Sequence, residues 1–97
     1  MDEKAPLKTL NFLGVRTSAF EILCYLTFIQ KEVKPVEISE NLKMKPGTVR
    51  ARLSELKEAE LVSVVSDGYI SKIHPYDIIL RIYEEIRKEI KEATSAG

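Results

Sequence analysis

The sequence predicts a mostly α-helical α+β domain in which a small β-hairpin separates short helices from one long C-terminal helix. Three observations lead to this fold class. Two short amphipathic segments follow each other closely at residues 36–42 and 46–60, a β-branched hairpin pattern follows at residues 62–73, and a helical apolar stripe fills residues 76–94. With 97 residues, 44% of them hydrophobic, the chain can build one core but not two.

The two short segments predict a helix-turn-helix. Pro35 stands at the start of the first helix, whose apolar residues share one stripe. Pro46 occupies a favoured first position of the second helix. The few residues between them leave room only for a tight turn, with Leu42 and Met44 as its apolar contacts to the core.

The second helix of this pair has a surface suited to DNA. Val49, Leu53 and Leu56 recur at the spacing i, i+4 and i+7, so this side faces the core and the opposite side faces outward. A helix with small residues outward can approach a major groove closely, where arginine binds guanine edges and hydroxyl or ammonium groups bind phosphates. The candidate DNA-binding residues of the helix and its preceding turn are Lys43, Lys45, Gly47, Thr48, Arg50, Ala51, Arg52 and Ser54.

The β-branched run over residues 62–66 predicts a strand, and Asp67 and Gly68 give a strong hairpin signal. Residues 69–73 are expected to form the returning strand of the hairpin. A hairpin in this place makes residues 1–75 a winged helix-turn-helix. Lys72 is the wing residue expected to contact phosphate. The charge of Asp67 is unfavourable there, which favours a wing that turns away from DNA or only completes the sheet.

Two further helices are expected before the pair. The first covers residues 6–13 and is closed by Gly14. Thr17 or Ser18 caps the second, and Ser18 with Glu21 has the spacing of a capping box. This second helix extends to about residue 30 and is apolar on several sides, which predicts a central buried helix containing Cys24 as a small core residue.

The C-terminal helix, residues 76–95, is part of the same domain. Its apolar stripe extends well past the hairpin, and a small domain has little to cover it. We therefore expect a homodimer in which this helix packs on its symmetry mate. The alternative is that the helix folds back on its own N-terminal helices. The expected dimer-interface residues are Ile79, Ile82, Tyr83, Ile86 and Ile90.

Several classes of function lack support in the sequence. One cysteine and one histidine, His74, give no metal-ligand spacing, so His74 is expected to be a linker residue between strand and helix. We find no catalytic constellation, glycine-rich phosphate loop, cofactor motif or membrane-spanning run, and we expect a cytoplasmic, nucleoid-associated protein that is not an enzyme. A small-molecule effector stays open. The composition, rich in lysine, glutamate and isoleucine, indicates a thermophile.

The chain resembles the N-terminal domain of TrmB-type archaeal transcriptional regulators and, more loosely, MarR and ArsR regulators. The resemblance covers nearly the whole chain and includes residues 10–14, 36–42, 45–50 and 73–78, most of them structural positions. It implies double-stranded DNA binding through the second helix of the pair, with Thr48, Arg50 and Arg52 in the major groove, and pairing of subunits. The link between Gly14 and Glu21 is longer than in that family, and no effector-binding domain follows, which puts sugar sensing in doubt.

The resulting hypothesis is a homodimeric, sequence-specific transcriptional regulator. Zero net charge and the acidic wing tip favour a rival, a winged helix that binds protein instead of DNA. The locally basic stretch over residues 41–57 opposes that rival. An architectural chromatin protein without sequence preference is a third alternative, although it would need more positive charge than this chain has.

Overall fold

The computed structural model describes Leu10 and residues 13–96. The elements, in chain order, are α1 (Ser18–Ile29), α2 (Pro35–Leu42), α3 (Pro46–Glu58), β1 (Val62–Val65), β2 (Gly68–Ser71) and α4 (Pro75–Ala96). The predicted fold class is therefore confirmed: helices, a two-stranded antiparallel hairpin and a long C-terminal helix. The predicted helix over residues 6–13 lies for the most part outside the described residues.

The core is built around α1. Its Ile22, Leu23 and Leu26 are fully buried, and Phe20 nearly so, which confirms the expected central helix. The helix also buries one polar side chain, Thr27, whose hydroxyl lies 2.7 Å from the backbone oxygen of Leu23 and 2.7 Å from the hydroxyl of Ser71. Ala19 of α1 is also buried, and the rest of the buried core comes from the other elements and their flanking segments: Leu10, Val33, Ile38, Val49, Leu53, Leu56, Leu61, Val62 and Ile78.

The start of α1 corrects one local prediction. Thr17 is its N-cap, in extended backbone, and its hydroxyl accepts a hydrogen bond from the Phe20 N–H at 3.2 Å. Ser18 is already the first helical residue, so it cannot form a capping box with Glu21. The same Thr17 hydroxyl donates to the backbone oxygen of Gly14 at 2.8 Å, which ties the preceding turn to the helix.

The turn between α2 and α3 is held by side chain and backbone together. Lys43 ends α2 in the left-handed conformation, with φ 56°. The Ser39 hydroxyl donates to the Met44 oxygen at 2.6 Å, and the Met44 N–H donates to the Ser39 oxygen at 3.0 Å. Leu42 and Met44 pack against the core as predicted.

Helix α3 begins at Pro46, as predicted, but ends at Glu58 instead of residue 60. The reason lies in the backbone of Glu60, whose φ of 63° reverses the chain direction. The N–H of Leu61 then donates to the Leu56 oxygen at 2.9 Å, which closes the helix and starts the hairpin.

The hairpin pairs Val62 with Ser71 and Val65 with Gly68, so its two turn residues are Ser66 and Asp67. The predicted Asp67–Gly68 turn is thus one residue too late. Ser66 supplies the positive φ of 55°.

Gly68 has a different role from the one its position suggested. Residue Val33, just before α2, forms a β-bridge with Tyr69 through two backbone hydrogen bonds of 2.9 and 2.8 Å. A Cβ atom at Gly68 would lie 3.1 Å from the Val33 oxygen, tighter than ordinary contact. The glycine therefore permits close approach of a third extended segment to the wing, and no positive φ is needed there.

Helix α4 is capped by His74 and anchored by Arg81. The His74 Nδ1 accepts from the Tyr76 N–H at 3.1 Å, and the Asp77 carboxylate accepts from the His74 N–H at 2.8 Å. The nearly buried Arg81 guanidinium donates to the backbone oxygens of Leu10, at 3.2 Å, and Leu13, at 3.1 Å. His74 thus lies between strand and helix, as expected, and its ring stacks on Tyr76.

Candidate nucleic-acid interface

The outward face of α3 is open and built from small residues. Gly47, Ala51 and Ser54 are exposed, while Val49 and Leu53 on the other side are fully buried. Apart from the two chain neighbours and the backbone of α3 itself, no heavy atom of the described residues lies within 4 Å of the position a Cβ would take at Gly47. The predicted division of this helix between core and surface is confirmed, and a large ligand can approach the helix axis closely.

Basic side chains surround the start of α3. Lys43 ends α2 and Lys45 is the N-cap of α3, so both exposed ammonium groups lie at the turn. Arg50 is also exposed, and no carboxylate within the described part of the chain comes within ion-pair distance of it. Thr48 is half-buried beside them. This end of the helix therefore presents positive charge that other side chains do not neutralise.

Arg52 differs from Arg50, although both were predicted as DNA contacts. Its guanidinium forms an ion pair with Glu55, with 2.9 Å between Nη2 and Oε2, and only 35% of its side chain is exposed. Its Nε atom is buried and has no hydrogen-bond partner among the residues described. Arg52 is therefore paired within α3 and is less open to a ligand than Arg50.

The wing carries one predicted contact and one residue that sequence reasoning missed. Lys72 is exposed, as a phosphate contact requires. At the wing tip, the carboxylate of Asp67 lies 3.6 Å from the ammonium of Lys34, and both side chains are mostly exposed. Lys34 was missed because the bridge of Val33 with Tyr69, which brings it to the wing, joins segments distant in sequence. The pair reduces the negative charge that Asp67 would otherwise bring to the tip.

Helix α4 turns two different faces to its surroundings. Its polar side packs on the chain's own N-terminal segment, with Arg81 bonded to Glu85 at 3.0 Å and Arg16 bonded to Glu89 at 3.1 Å. Its apolar stripe is solvent-exposed in the described structure. The exposed stripe contains all five expected interface residues, together with two that were missed: Tyr76, Ile79, Leu80, Ile82, Tyr83, Ile86 and Ile90. Helix α4 therefore folds back on its own chain through its polar side and at the same time exposes its apolar stripe.

The other groups that could support a chemical role are the Cys24 thiol and clusters of metal-ligating side chains. Cys24 is a free thiol, half-buried against the core, and burial together with the nearby charge of Glu21 raises its pKa to about 11. Across Leu10 and residues 13–96, no three or more histidine, cysteine, aspartate or glutamate side chains cluster as a metal site would require. Over the same residues, no helix combines the length and apolar character needed to cross a bilayer.

Comparison with known families agrees with this geometry. Residues 18–64 match the family described as "Bacterial regulatory protein, arsR family", which spans just under half of the chain and covers α1, α2, α3 and most of β1. No curated protein and no solved structure matches the chain. The match supports a winged helix-turn-helix of the DNA-binding, transcription-regulating kind, which is not an enzyme. The closer likeness to TrmB-type archaeal regulators and the thermophilic origin stay predictions.

Proposed function

We propose that this protein is a homodimeric transcriptional regulator that binds specific sites in double-stranded DNA through α3. The observation that carries the proposal is the open face of small residues on α3, bordered by unneutralised basic side chains, within a segment that resembles the arsR-family helix-turn-helix. A major groove is about 12 Å wide and admits one such helix.

Each candidate residue has a distinct part in the proposed complex. Gly47, Ala51 and Ser54 let the helix enter the groove, and Arg50 binds a guanine edge through two N–H groups. Phosphate contacts fix the position of the helix, and they come from the turn, the edge of α3 and the wing. The residues that supply them are Lys43, Lys45, Thr48 and Lys72.

The proposed partner of α4 is a second copy of the same chain. Seven large apolar side chains are exposed along one side of this helix, and a two-fold axis lets the same stripe cover itself. Two α3 helices related by that axis would bind half-sites about 34–36 Å apart, so the preferred site is an inverted repeat.

The first experiment is selection of preferred duplexes from a random library, followed by fluorescence anisotropy on the selected and scrambled duplexes over several salt concentrations. We expect tight binding to the selected duplex that weakens steeply with salt, because phosphate contacts release counterions. Arg50→Ala should weaken the binding free energy for the selected duplex by about 1–3 kcal/mol, which raises its Kd, and reduce discrimination against the scrambled one.

A matched control removes the same charge elsewhere. Lys91→Ala takes a positive charge from the exposed side of α4 and should leave discrimination between duplexes unchanged. Equal binding of both duplexes by the wild type would favour the architectural alternative. No binding of any duplex would overturn the proposal and favour the protein-interaction alternative, which the zero net charge supports.

A further inference from the structure

The ion pair between Arg52 and Glu55 lies on the helix proposed to enter DNA. Glu55 is more than half exposed and carries the same sign of charge as the phosphates, so it should weaken DNA binding if it acted through its charge alone. The carboxylate instead holds the guanidinium at 2.9 Å, one helical turn away on the same side of α3.

The geometry also limits which donors of Arg52 a base can use. A guanidinium has five N–H donors in a planar fork. The Nε–H of Arg52 is buried away from solvent, and the Glu55 Oε2 atom lies 2.9 Å from Nη2 as an ion-pair partner. The buried Nε–H excludes the side edge formed by Nε and Nη2, which leaves the terminal edge formed by Nη1 and Nη2 for a base.

We infer that Glu55 is a positioning residue that determines DNA specificity, by fixing Arg52 so that only its terminal Nη1–Nη2 edge meets a guanine. This inference rests on the proposed function of α3. Arg50 is exposed and forms no ion pair with the residues that the structure describes. The two arginines of one helix therefore differ in how closely the orientation of their guanidinium groups is restrained. A fixed guanidinium loses less side-chain freedom on binding, which favours contact with a base at one defined position.

The test compares Glu55→Gln with Glu58→Gln. Glu58 lies on the same helix, is exposed and forms no ion pair with any described residue, so its substitution removes the same charge without releasing an arginine. Affinity is measured by anisotropy on the duplex selected by the wild type and on its scrambled form. Thermal unfolding followed by circular dichroism checks that both variants fold equally well.

Glu55→Gln should weaken binding to the selected duplex by about fivefold or more, the lower end of what one bidentate arginine–guanine contact is worth. It should leave binding to the scrambled duplex unchanged or stronger, because a negative charge is lost. Glu58→Gln should change both duplexes in the same direction. In an Arg52→Ala background, Glu55→Gln should no longer reduce discrimination, since the group that it positions is gone.

Three outcomes would overturn the inference. Glu55→Gln could behave as Glu58→Gln does, which would make Glu55 an ordinary surface charge. The loss of discrimination could persist in the Arg52→Ala background, which would mean that Glu55 acts on the DNA or on the fold without Arg52. Failure of the wild type to bind any duplex would overturn the proposed function itself, and that result is distinguishable because no variant is needed to see it.

Discussion

Helices α3 and α4 are both amphipathic, yet they use their two sides in opposite ways. Helix α3 turns its apolar residues inward, where Val49 and Leu53 are fully buried, and leaves small and basic residues outside. Helix α4 buries Ile78 and turns Arg81 and Glu85 towards its own chain, but it leaves its other four isoleucines outside, with Ile86 50% and Ile90 61% exposed. The apolar side chains of α3 are buried within one chain, and its outer surface is polar. Those of α4 are covered there only at Ile78, and the exposed remainder is the basis of the proposed self-association.

The largest effect expected from this difference is a loss of stability when α3 loses packing. Leu53→Ala should lower the free energy of unfolding by about 2–5 kcal/mol, because it leaves a cavity at a fully buried site. Chemical denaturation followed by circular dichroism measures it. Ser54→Ala, next along the helix and exposed, should change stability by less than about 0.5 kcal/mol. Similar effects of the two substitutions would contradict the described packing of α3.

The next effect concerns self-association through α4. Ile86→Glu should raise the dimer dissociation constant more than about tenfold, since burying one isoleucine is worth roughly 1.5–3 kcal/mol and a carboxylate resists burial. Analytical ultracentrifugation over a range of concentrations measures it. Lys88→Glu, an exposed substitution on the same helix, should leave association nearly unchanged. A wild type that stays monomeric at high concentration would contradict the proposed dimer.

A smaller effect should come from the backbone where α3 ends. Glu60 has a φ of 63°, a conformation that a glycine adopts without steric cost. Glu60→Gly should therefore raise the free energy of unfolding by about 0.5–1 kcal/mol, after the larger chain entropy of glycine is subtracted. Glu58→Gly, two residues earlier and inside α3, should lower it by up to about 1 kcal/mol. Thermal unfolding measures both, and equal signs would argue against the described end of the helix.

The smallest expected effect tests how closely the core is packed around Cys24 of α1. Because its pKa is raised to about 11, the folded thiol stays protonated at pH 8 and should react slowly with alkylating reagents. The unfolded thiol ionises at a lower pH than the folded one. Stability from this group is therefore complete below pH 9 and is lost as pH rises towards 11.

Cys24→Ala supplies the control, since it should show a smaller fall in melting temperature than the wild type between pH 9 and 11. Rapid alkylation of the folded wild type at pH 8 would mean that α1 is packed less closely than described.

The sequence was sufficient for features set by local periodicity. The buried side of α3 follows from its i, i+4 and i+7 spacing, and the start of α2 and of α3 follows from their prolines. Features set by contacts between distant segments were not accessible. Gly68 resembled a turn glycine, whereas it makes room for Val33, and Thr17, not Ser18, reaches the capping position.

The same distinction applies to the candidate sites. Arg50, Gly47 and Ala51 were placed correctly on the outward face because helical geometry alone decides it. The pairing of Lys34 with Asp67 depends on a β-bridge that no short pattern reveals. The anchoring of α4 by Arg81 to the Leu10 and Leu13 oxygens likewise depends on segments at opposite ends of the chain. The sequence could not decide whether α4 folds back or stays exposed, because that depends on which of its sides contacts the rest of the chain.

The wing forms hydrogen bonds with the rest of the domain in addition to its chain connections to α3 and α4. Two backbone hydrogen bonds join Tyr69 to Val33 ahead of α2, and the hydroxyls of Ser71 and Thr27 join its base to α1. Strand β2 cannot move away from α1 and Val33 without breaking these bonds, and β1 is paired with β2. These bonds restrain the distance between α3 and the wing. A duplex that meets both must match that dimension or bend to it, so part of its selection would rest on groove width and stiffness as well as on bases.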